Sequence, residues 1–175
     1  FTQHYDSPPG GILLAADEVG LTGLWFDGQK YFARGLSAER IEKDTPILSE
    51  TKRWLDDYFE GKVPTRLPPL HPIGSPFQRD VWSILLEIPY GQTTTYGEIA
   101  RRLAARRGLP RMSAQAVGGA VGHNEISILI PCHRVVGANG SLTGYAGGID
   151  KKARLLELEG VDTRAFFVPK KGTAL

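Results

Sequence analysis

The chain has 175 residues, of which 41% are hydrophobic and 23% charged, and its formal net charge is +2. This length suits one domain or two small ones, and the composition is that of an ordinary soluble protein. No apolar run approaches the ~18 residues that a membrane-spanning helix requires, and the N-terminal residues do not resemble a signal peptide. The single cysteine excludes an internal disulfide, which fits a reducing compartment.

The first part of the chain is predicted to form an antiparallel sheet followed by a helix. Two apolar runs, residues 12–16 and 21–26, flank a polar stretch typical of a hairpin turn. A second turn at residues 27–28 leads to a third run at residues 30–33. Apolar residues then recur at helical spacing over residues 47–59, which predicts an amphipathic helix.

Four prolines between residues 64 and 72 predict a linker, and we place the domain boundary at residue 70. The predicted domains are residues 1–70, with the sheet and its helix, and residues 71–175, which are mainly helical. Capping residues, helix breakers and apolar periodicity predict four helices in the second domain. These helices cover approximately residues 76–88, 96–107, 114–122 and 150–160.

Two of these helices are short and separated by a break at residues 108–110, which suggests a helix-turn-helix within a mixed α/β (α+β) fold. Between Glu98 and Glu125 the chain has five arginines and no acidic residue. A charge run is usually a solvated face, but the absence of any carboxylate favours a polyanionic partner such as nucleic acid. The five arginines are Arg101, Arg102, Arg106, Arg107 and Arg111.

The predicted helix over residues 114–122 contains three glycines. Each glycine within a helix costs about 1 kcal/mol relative to alanine. One explanation is close packing of this helix against a neighbour. The other is a helix slim enough to approach the minor groove of DNA, which is about 6 Å wide.

The only cysteine, Cys132, follows an apolar run at residues 126–130 and Pro131, and it precedes His133 and Arg134. The apolar run predicts a buried strand. A cysteine beside cationic or titratable groups can be held as the reactive thiolate, so Cys132 is a candidate nucleophile. The alternative is a buried structural cysteine, which explains the apolar run but not its abrupt polar end.

The string Pro-Cys-His-Arg-Val at residues 131–135 resembles the active-site motif of the O6-alkylguanine-DNA alkyltransferases, or methylated-DNA–protein-cysteine methyltransferases. The resemblance covers roughly residues 75–161 and is loose before residue 70. Its other matching residues are 116–120 and Asn124 upstream, and 144–148 and 155–160 downstream. This combination of motifs is very specific.

The resemblance implies direct-reversal DNA repair. An alkyl (methyl) group would pass irreversibly and stoichiometrically from O6-alkylguanine to Cys132 after base flipping, with O4-alkylthymine as a further candidate substrate. No cofactor is implied, and the histidines and Cys132 do not form a metal-ligand spacing. The implied partner is double-stranded DNA containing alkylated guanine. We expect a monomer without membrane association, cytoplasmic and nucleoid-associated in a prokaryote or nuclear in a eukaryote.

Four catalytic residues are implied by the resemblance. Cys132 is the nucleophile, and His133 is its base, acting through a bridging water. Glu159 orients the histidine, although Glu157 lies at the same helix end and periodicity alone does not choose between the two. Asn124 connects the recognition helix, which is the predicted helix over residues 114–122, to the active site through hydrogen bonds.

The resemblance also implies a substrate pocket. Tyr96 would bond a purine ring nitrogen and would help, as an acid, to protonate the leaving base. Backbone groups of Cys132, Val135 and Ala146 would recognise the guanine edge. Tyr145 would form the wall beside the alkyl group.

The implied DNA contact places the glycine-containing helix in the minor groove, with little sequence preference. Gln115 stands where much of the family has an arginine that fills the gap left by the extruded nucleotide. The sequence leaves open whether Gln115 or Arg111 fills this gap. The predicted DNA-binding residues are Gln115, Ala116, Gly118, Gly119, Arg111, Arg101, Arg102 and Arg134.

Three other functions compete with this interpretation. A non-catalytic lesion-binding protein of the alkyltransferase-like kind would lack the motif cysteine, which this chain has. A helix-turn-helix regulator would carry base-reading side chains on its second helix and usually a dimer interface. A cysteine hydrolase would turn over repeatedly, whereas an alkyl acceptor reacts once.

Overall fold

The computed structural model describes residues 1–30, 32–34, 36 and 38–167. The fold combines a small antiparallel sheet with helices, which confirms the mixed α/β prediction. The chain forms two compact units, one from residues 1–73 with 125–129, and the other from residues 74–124 with the chain from residue 130 onward. The observed boundary therefore lies at residue 73, whereas the predicted one is at residue 70. Residues 125–129, which were predicted to lie in the second domain, belong to the first unit.

The first unit contains a three-stranded antiparallel sheet with the strand order β1–β2–β3. Strand β1 spans Thr2–Ser7, β2 spans Gly10–Ala16, β3 spans Leu21–Phe26, and the helix α1 spans Pro46–Phe59. The Thr45 side chain caps α1 by accepting a hydrogen bond from the backbone N–H of Leu48. Fully buried side chains of this unit include Ile12, Leu14, Leu24, Phe26, Leu48, Leu55 and Tyr58.

The sheet differs from the predicted one at its edge. Lys30, Phe32 and Ala33 lie in turns and Tyr31 lies outside the described residues, so the described part of this run does not form the predicted third strand. The third strand is instead β1, whose side chains alternate in exposure. Because β1 is an edge strand with a mostly polar sequence, hydrophobic periodicity did not reveal it.

Residues 126–130 do not form the predicted strand, although they are buried as expected. The backbone N–H of Leu24 donates to the Glu125 carbonyl at 2.8 Å, and Ile126 makes an isolated bridge with Leu24. The chain then turns, and Ile128 has a φ of 71°. A positive φ at a β-branched residue is incompatible with an extended ladder, so the pairing stops there.

The second unit is mainly helical, as predicted. Its α-helices are α2 (Pro76–Leu85), α3 (Tyr96–Arg106), α4 (Ala114–Gly122) and α5 (Ile149–Leu158). Strands β4 (Thr94–Thr95) and β5 (Val135–Val136) pair in parallel, and 3-10 helices span Cys132–Arg134 and Thr163–Ala165. Within the described residues, no helix combines the length and the apolar character needed to cross a membrane.

Side-chain caps explain where three of these helices begin. Ser75, Thr95 and Ser113 each accept a hydrogen bond from the backbone three residues further on. Helix α5 differs from the prediction, because Gly148 holds the cap position with a φ of 100°, which glycine adopts readily. Asp150 lies instead in the first turn, where its negative charge interacts favourably with the positive end of the helix dipole.

Candidate active site

Cys132 begins a short 3-10 helix at the point where the chain leaves Pro131. Its side chain is buried, and its backbone N–H donates to the Ile130 carbonyl at 2.8 Å. Burial raises the pKa of the Cys132 thiol above its ordinary value, and a hydrogen bond with Asn124 and the positive charge of Lys152 oppose this effect only in part. Cys132 is thus buried, and it also has neighbours that favour its thiolate.

Asn124 follows α4 and lies beside the cysteine in a buried position. Its side-chain Nδ2 donates to the Ile130 carbonyl at 2.8 Å. The same carbonyl accepts the hydrogen bond from Cys132 N. The structure therefore connects the end of α4 to Cys132 through one shared acceptor.

His133 and Glu159 form a completely buried pair, with 2.5 Å between Nε2 and Oε2. Burial lowers the pKa of His133, so the imidazole is neutral at pH 7. Burial alone would raise the pKa of Glu159, but hydrogen bonds with His133 and Arg134 outweigh it and lower this pKa to about 2. The other ring nitrogen, His133 Nδ1, is buried and makes no hydrogen bond with the described residues. An ionised carboxylate at Nε2 leaves Nδ1 as the proton acceptor.

The geometry distinguishes the two glutamates at the end of α5. Glu157 is exposed and accepts a hydrogen bond from Thr163 Oγ1 at 2.9 Å. Glu159 is the C-cap residue and is buried. A carboxylate there opposes the helix dipole, and its contacts with His133 and Arg134 compensate for this position.

Arg134 lies beside the same carboxylate and not at the surface. Its Nε donates to Glu159 Oε1 at 2.7 Å, and its Nη1 donates to the Ile88 carbonyl at 2.8 Å. The residue is only 8% exposed. The structure therefore does not support the predicted DNA contact of Arg134, because its guanidinium is engaged with two buried acceptors. Its ion-pair partner lies 25 residues away in sequence, so no local pattern indicates this pairing.

Lys152 on α5 is a buried charged residue that the sequence analysis missed. Its side chain is completely buried, and Nζ donates to the carbonyls of Val135 at 2.5 Å and Thr143 at 2.6 Å. Burial lowers the pKa of Lys152 to about 8. The available signal was periodicity, because Lys152 lies three residues from both Ile149 and Leu155 on the apolar face of the helix.

The predicted pocket residues lie around this cluster. The Tyr96 hydroxyl donates to the Thr143 carbonyl at 3.2 Å, an acceptor that it shares with Lys152. Burial raises the pKa of Tyr96, which keeps the phenol protonated. Tyr145 is buried, and its ring lies edge-on to the His133 ring with 6.4 Å between centroids. Ala146 follows Tyr145 as a half-buried residue in the loop before α5, and Val135 contributes the carbonyl bonded to Lys152.

Comparisons with known proteins match most of the chain to a single family. The family model for the ribonuclease-like domain of 6-O-methylguanine DNA methyltransferase matches residues 1–70. The family model for the DNA binding domain of 6-O-methylguanine DNA methyltransferase matches residues 76–161. A methylated-DNA–protein-cysteine methyltransferase from Methanosarcina acetivorans is 45% identical over 162 residues, which are 89% of this chain and 96% of that protein. This chain belongs to the 6-O-methylguanine DNA methyltransferase family.

Solved structures of the methyltransferase family share the fold. A crystal structure of Mycobacterium tuberculosis O6-methylguanine methyltransferase has a TM-score of 0.76 at 44% identity, covering 90% of this chain and 91% of that chain. A structure of the M. tuberculosis protein OGT in complex with DNA has a TM-score of 0.77 at 41% identity, covering 94% of this chain and 97% of that chain. The resemblance inferred from the sequence is therefore confirmed, and it extends into the N-terminal part where the motifs were loose.

Helix α4 of this methyltransferase-family chain presents most of its predicted DNA-binding residues to solvent. Gln115, Ala116 and Gly119 are exposed, and Gly118 is half-buried. A Cβ at Gly119 would meet no atom of the described residues within 4 Å, and one at Gly118 would lie at an ordinary 3.7 Å from Tyr96. Packing within the protein does not require these glycines, which favours the explanation of a slim helix surface.

The five arginines between Arg101 and Arg111 have no acidic residue among them in the sequence, but the fold brings carboxylates to four of them. Glu98 pairs with Arg101, Glu87 pairs with Arg102 and Arg106, and Asp80 pairs with Arg107. Exposed pairs of this kind contribute only about 0–1 kcal/mol, so phosphates can replace the carboxylates. Arg111 is exposed and has no ion pair with any part of the chain that the structure describes.

Proposed function

We propose that this chain repairs DNA directly, by transferring the alkyl group of O6-alkylguanine to Cys132 in one irreversible event. The observation that carries the proposal is the buried cluster of Cys132 with a neutral His133 and an ionised Glu159. Relatives that are 38–47% identical bear the name of this activity, which supports the same reaction here. We extend the proposal to O4-alkylthymine as a secondary substrate.

In the proposed reaction, the sulfur of Cys132 forms a bond with the alkyl carbon as the bond between that carbon and guanine O6 breaks. The thiol proton passes to His133 Nδ1 through a water molecule. The electron pair left on the purine is neutralised by a proton from the Tyr96 hydroxyl, and the proton held by His133 replaces it by exchange through solvent. The thioether product is stable, so one chain repairs one base.

The proposed DNA complex places α4 in the minor groove with the target base flipped out of the stack. Flipping is required because O6 of a stacked guanine is not accessible to a protein nucleophile. The exposed surface of α4 at Ala116 and Gly119 allows the close approach, and surface arginines supply contacts to phosphates that do not depend on sequence. Gln115 and Arg111 are both exposed, and either can fill the gap left by the flipped base.

Intact-mass measurement after incubation with an oligonucleotide containing O6-methylguanine tests this function. We expect one methyl group per chain, located on the peptide that carries Cys132, and no gain in Cys132→Ala. A cysteine hydrolase would instead process many oligonucleotides per chain. A lesion-binding protein would bind the oligonucleotide without any gain in mass, and either outcome would exclude the proposed mechanism.

A further inference from the structure

Three groups hold the Glu159 carboxylate, one at Oε2 and two at Oε1. His133 Nε2 lies against Oε2, whereas Arg134 Nε and the backbone N–H of Gly91 both donate to Oε1, at 2.7 and 3.1 Å. Because a carboxylate accepts only in the directions of its lone pairs, rotating the group would break these hydrogen bonds. The direction of Oε2 toward His133 therefore depends on the donors at Oε1.

The guanidinium of Arg134 is itself fixed from other sides. Its Nη1 donates to the Ile88 carbonyl at 2.8 Å, and its Cζ lies 5.8 Å from the centre of the Tyr90 ring. The Tyr90 hydroxyl donates to the Leu158 carbonyl at 3.3 Å. The turn that follows α2 and the end of α5 thus hold Arg134 and Glu159 together.

The charge of Arg134 matters because Glu159 is completely buried. A buried carboxylate is strongly destabilised unless a cation and hydrogen bonds compensate for its lost hydration. Arginine remains charged at every pH relevant to a protein, so it can keep a neighbouring carboxylate ionised throughout that range. A cation buried in this way is unavailable to the phosphates of DNA.

We propose that Arg134 is a positioning residue of the active site, which keeps Glu159 ionised and directed at His133, and that it does not contact DNA. Arg134 acts on Cys132 through Glu159 and His133. The inference deepens the proposed alkyl transfer and rests on it only for the repair-rate measurement.

Loss of Arg134 should shift the pH dependence of the Cys132 reaction in one direction. Positive charge from Arg134 and Lys152 lowers the pKa of His133, and Glu159 raises it. Without Arg134, the pKa of His133 rises, so the pH below which the histidine is protonated and cannot act as a base also rises. The charged and titratable groups around the pair are Cys132 and Arg134 on the 3-10 helix, Lys152 on α5, Tyr90 after α2, and Tyr145 in the loop before α5.

Two substitutions separate the charge of Arg134 from its geometry. Arg134→Met removes the charge and keeps the aliphatic part of the side chain. Arg134→Lys keeps a charge but cannot donate in the two fixed directions that Glu159 and Ile88 require. We expect Arg134→Met to slow the reaction of Cys132 roughly 10- to 100-fold and Arg134→Lys to slow it less.

Three measurements are made on each variant. The reaction of Cys132 with iodoacetamide across a pH series reports thiol reactivity without DNA, and single-turnover transfer from an O6-methylguanine duplex reports repair. Titration of an undamaged duplex at several salt concentrations reports binding. In Arg134→Met both reactions should slow and the acidic limb of the iodoacetamide profile should move to higher pH, while affinity and salt dependence stay unchanged.

Two other arginines calibrate these measurements. Arg164→Met removes an exposed arginine that pairs with Asp162, and it should leave all three measurements unchanged. Arg111→Met should weaken binding to the undamaged duplex. The slope of log affinity against log salt concentration should fall in magnitude by about one, as expected for the loss of one phosphate contact. If Arg134→Met behaves like Arg111→Met in the DNA titration, Arg134 contacts DNA and the proposal is overturned.

The double variant Arg134→Met/Glu159→Gln tests whether Arg134 acts through Glu159. If it does, the double variant reacts with iodoacetamide at the rate of Glu159→Gln alone. This variant contains no buried carboxylate without its cation, so it remains informative if Arg134→Met alone does not fold. Effects that multiply in the double variant would overturn the proposal. Because iodoacetamide needs no DNA, failure of alkyl transfer from DNA would reject the proposed function without deciding this inference.

Discussion

At the residue scale, the active site is a small group of buried charges. Glu159 contributes one negative charge, Arg134 and Lys152 contribute two positive charges, and His133 is neutral. With a protonated thiol the group therefore has an excess of positive charge, and the thiolate of Cys132 removes this excess. Nearby charge of opposite sign favours the ionised form of an acid, which opposes part of the effect of burial, although burial is the larger effect and the pKa of Cys132 stays raised.

Glu159→Gln should slow alkyl transfer far more than it weakens DNA binding. The substitution removes the charge that orients His133 and stabilises its protonated form. Glu157→Gln is the matched control, since Glu157 is exposed and bonds Thr163 at the surface. Single-turnover rates and duplex affinities of both variants provide the comparison. Equal slowing in the two variants would mean that Glu159 is not the third member of the site.

Lys152 should make stability increase with pH in the alkaline range. Its pKa is about 8 in the folded protein, against an ordinary value of 10.5. Between these values the unfolded chain binds a proton that the folded chain does not, so the free energy of unfolding rises with pH. The shift corresponds to about 3 kcal/mol.

Denaturant unfolding at a series of pH values measures this contribution. The difference in unfolding free energy between the wild type and Lys152→Met should grow by about 3 kcal/mol across that window. Lys151→Met, at the less buried neighbouring lysine, should retain the rise seen in the wild type. A constant difference between the wild type and Lys152→Met would contradict the buried position of this charge.

At the scale of elements, the sequence predicted those features whose causes are local. Helices α2, α3 and α4 begin at Ser75, Thr95 and Ser113, because each cap bonds a backbone group only three residues away. Strand β1 pairs with the adjacent β2, but its mostly polar edge sequence has no hydrophobic alternation to reveal it. The segment that turns at Ile128 bonds Leu24, a partner distant in sequence that no local pattern describes.

The same distinction applies to the site. The motif at residues 131–135 identified Cys132 and His133 because they are adjacent in sequence. Arg134 belongs to the same string, but its pairing with Glu159 could not be predicted, because only the folded chain brings that carboxylate to it. Lys152 was missed because a lysine is assumed to be solvated unless its helical position is checked.

Gly119→Leu should stabilise α4 and weaken DNA binding. A side chain at Gly119 enters open space, so replacing glycine within a helix should raise the free energy of unfolding by up to about 1 kcal/mol. The same side chain would separate α4 from the proposed minor groove and lower duplex affinity. Gly122→Leu is the control, since it also adds a side chain in open space on this helix but lies outside the proposed contact. If Gly119→Leu binds DNA as well as the wild type, α4 does not enter the groove.

At the scale of the whole molecule, the chain passes through the first unit immediately before the cysteine. Residues 125–129 belong to that unit, whereas Asn124 and Ile130 on either side of them belong to the second. The indole Nε1 of Trp25 donates to Glu125 Oε2 at 2.5 Å, which fixes the start of this segment to β3. The contacts of Glu125 and Ile126 with β3 therefore hold this segment within the first unit.

Alkylation of Cys132 should lower the thermal midpoint of the protein. Cys132 is only 6% exposed, and extra methylenes in a packed site typically cost about 1–3 kcal/mol. Alkylation also places the new group on the sulfur that bonds Asn124, and guanine departs, so no bound ligand offsets the loss. Calorimetry without DNA should give midpoints that fall from the free to the methylated to the benzylated protein, with treated Cys132→Ala unchanged. Midpoints that stay the same or rise for both adducts would show that the site accepts the product without strain.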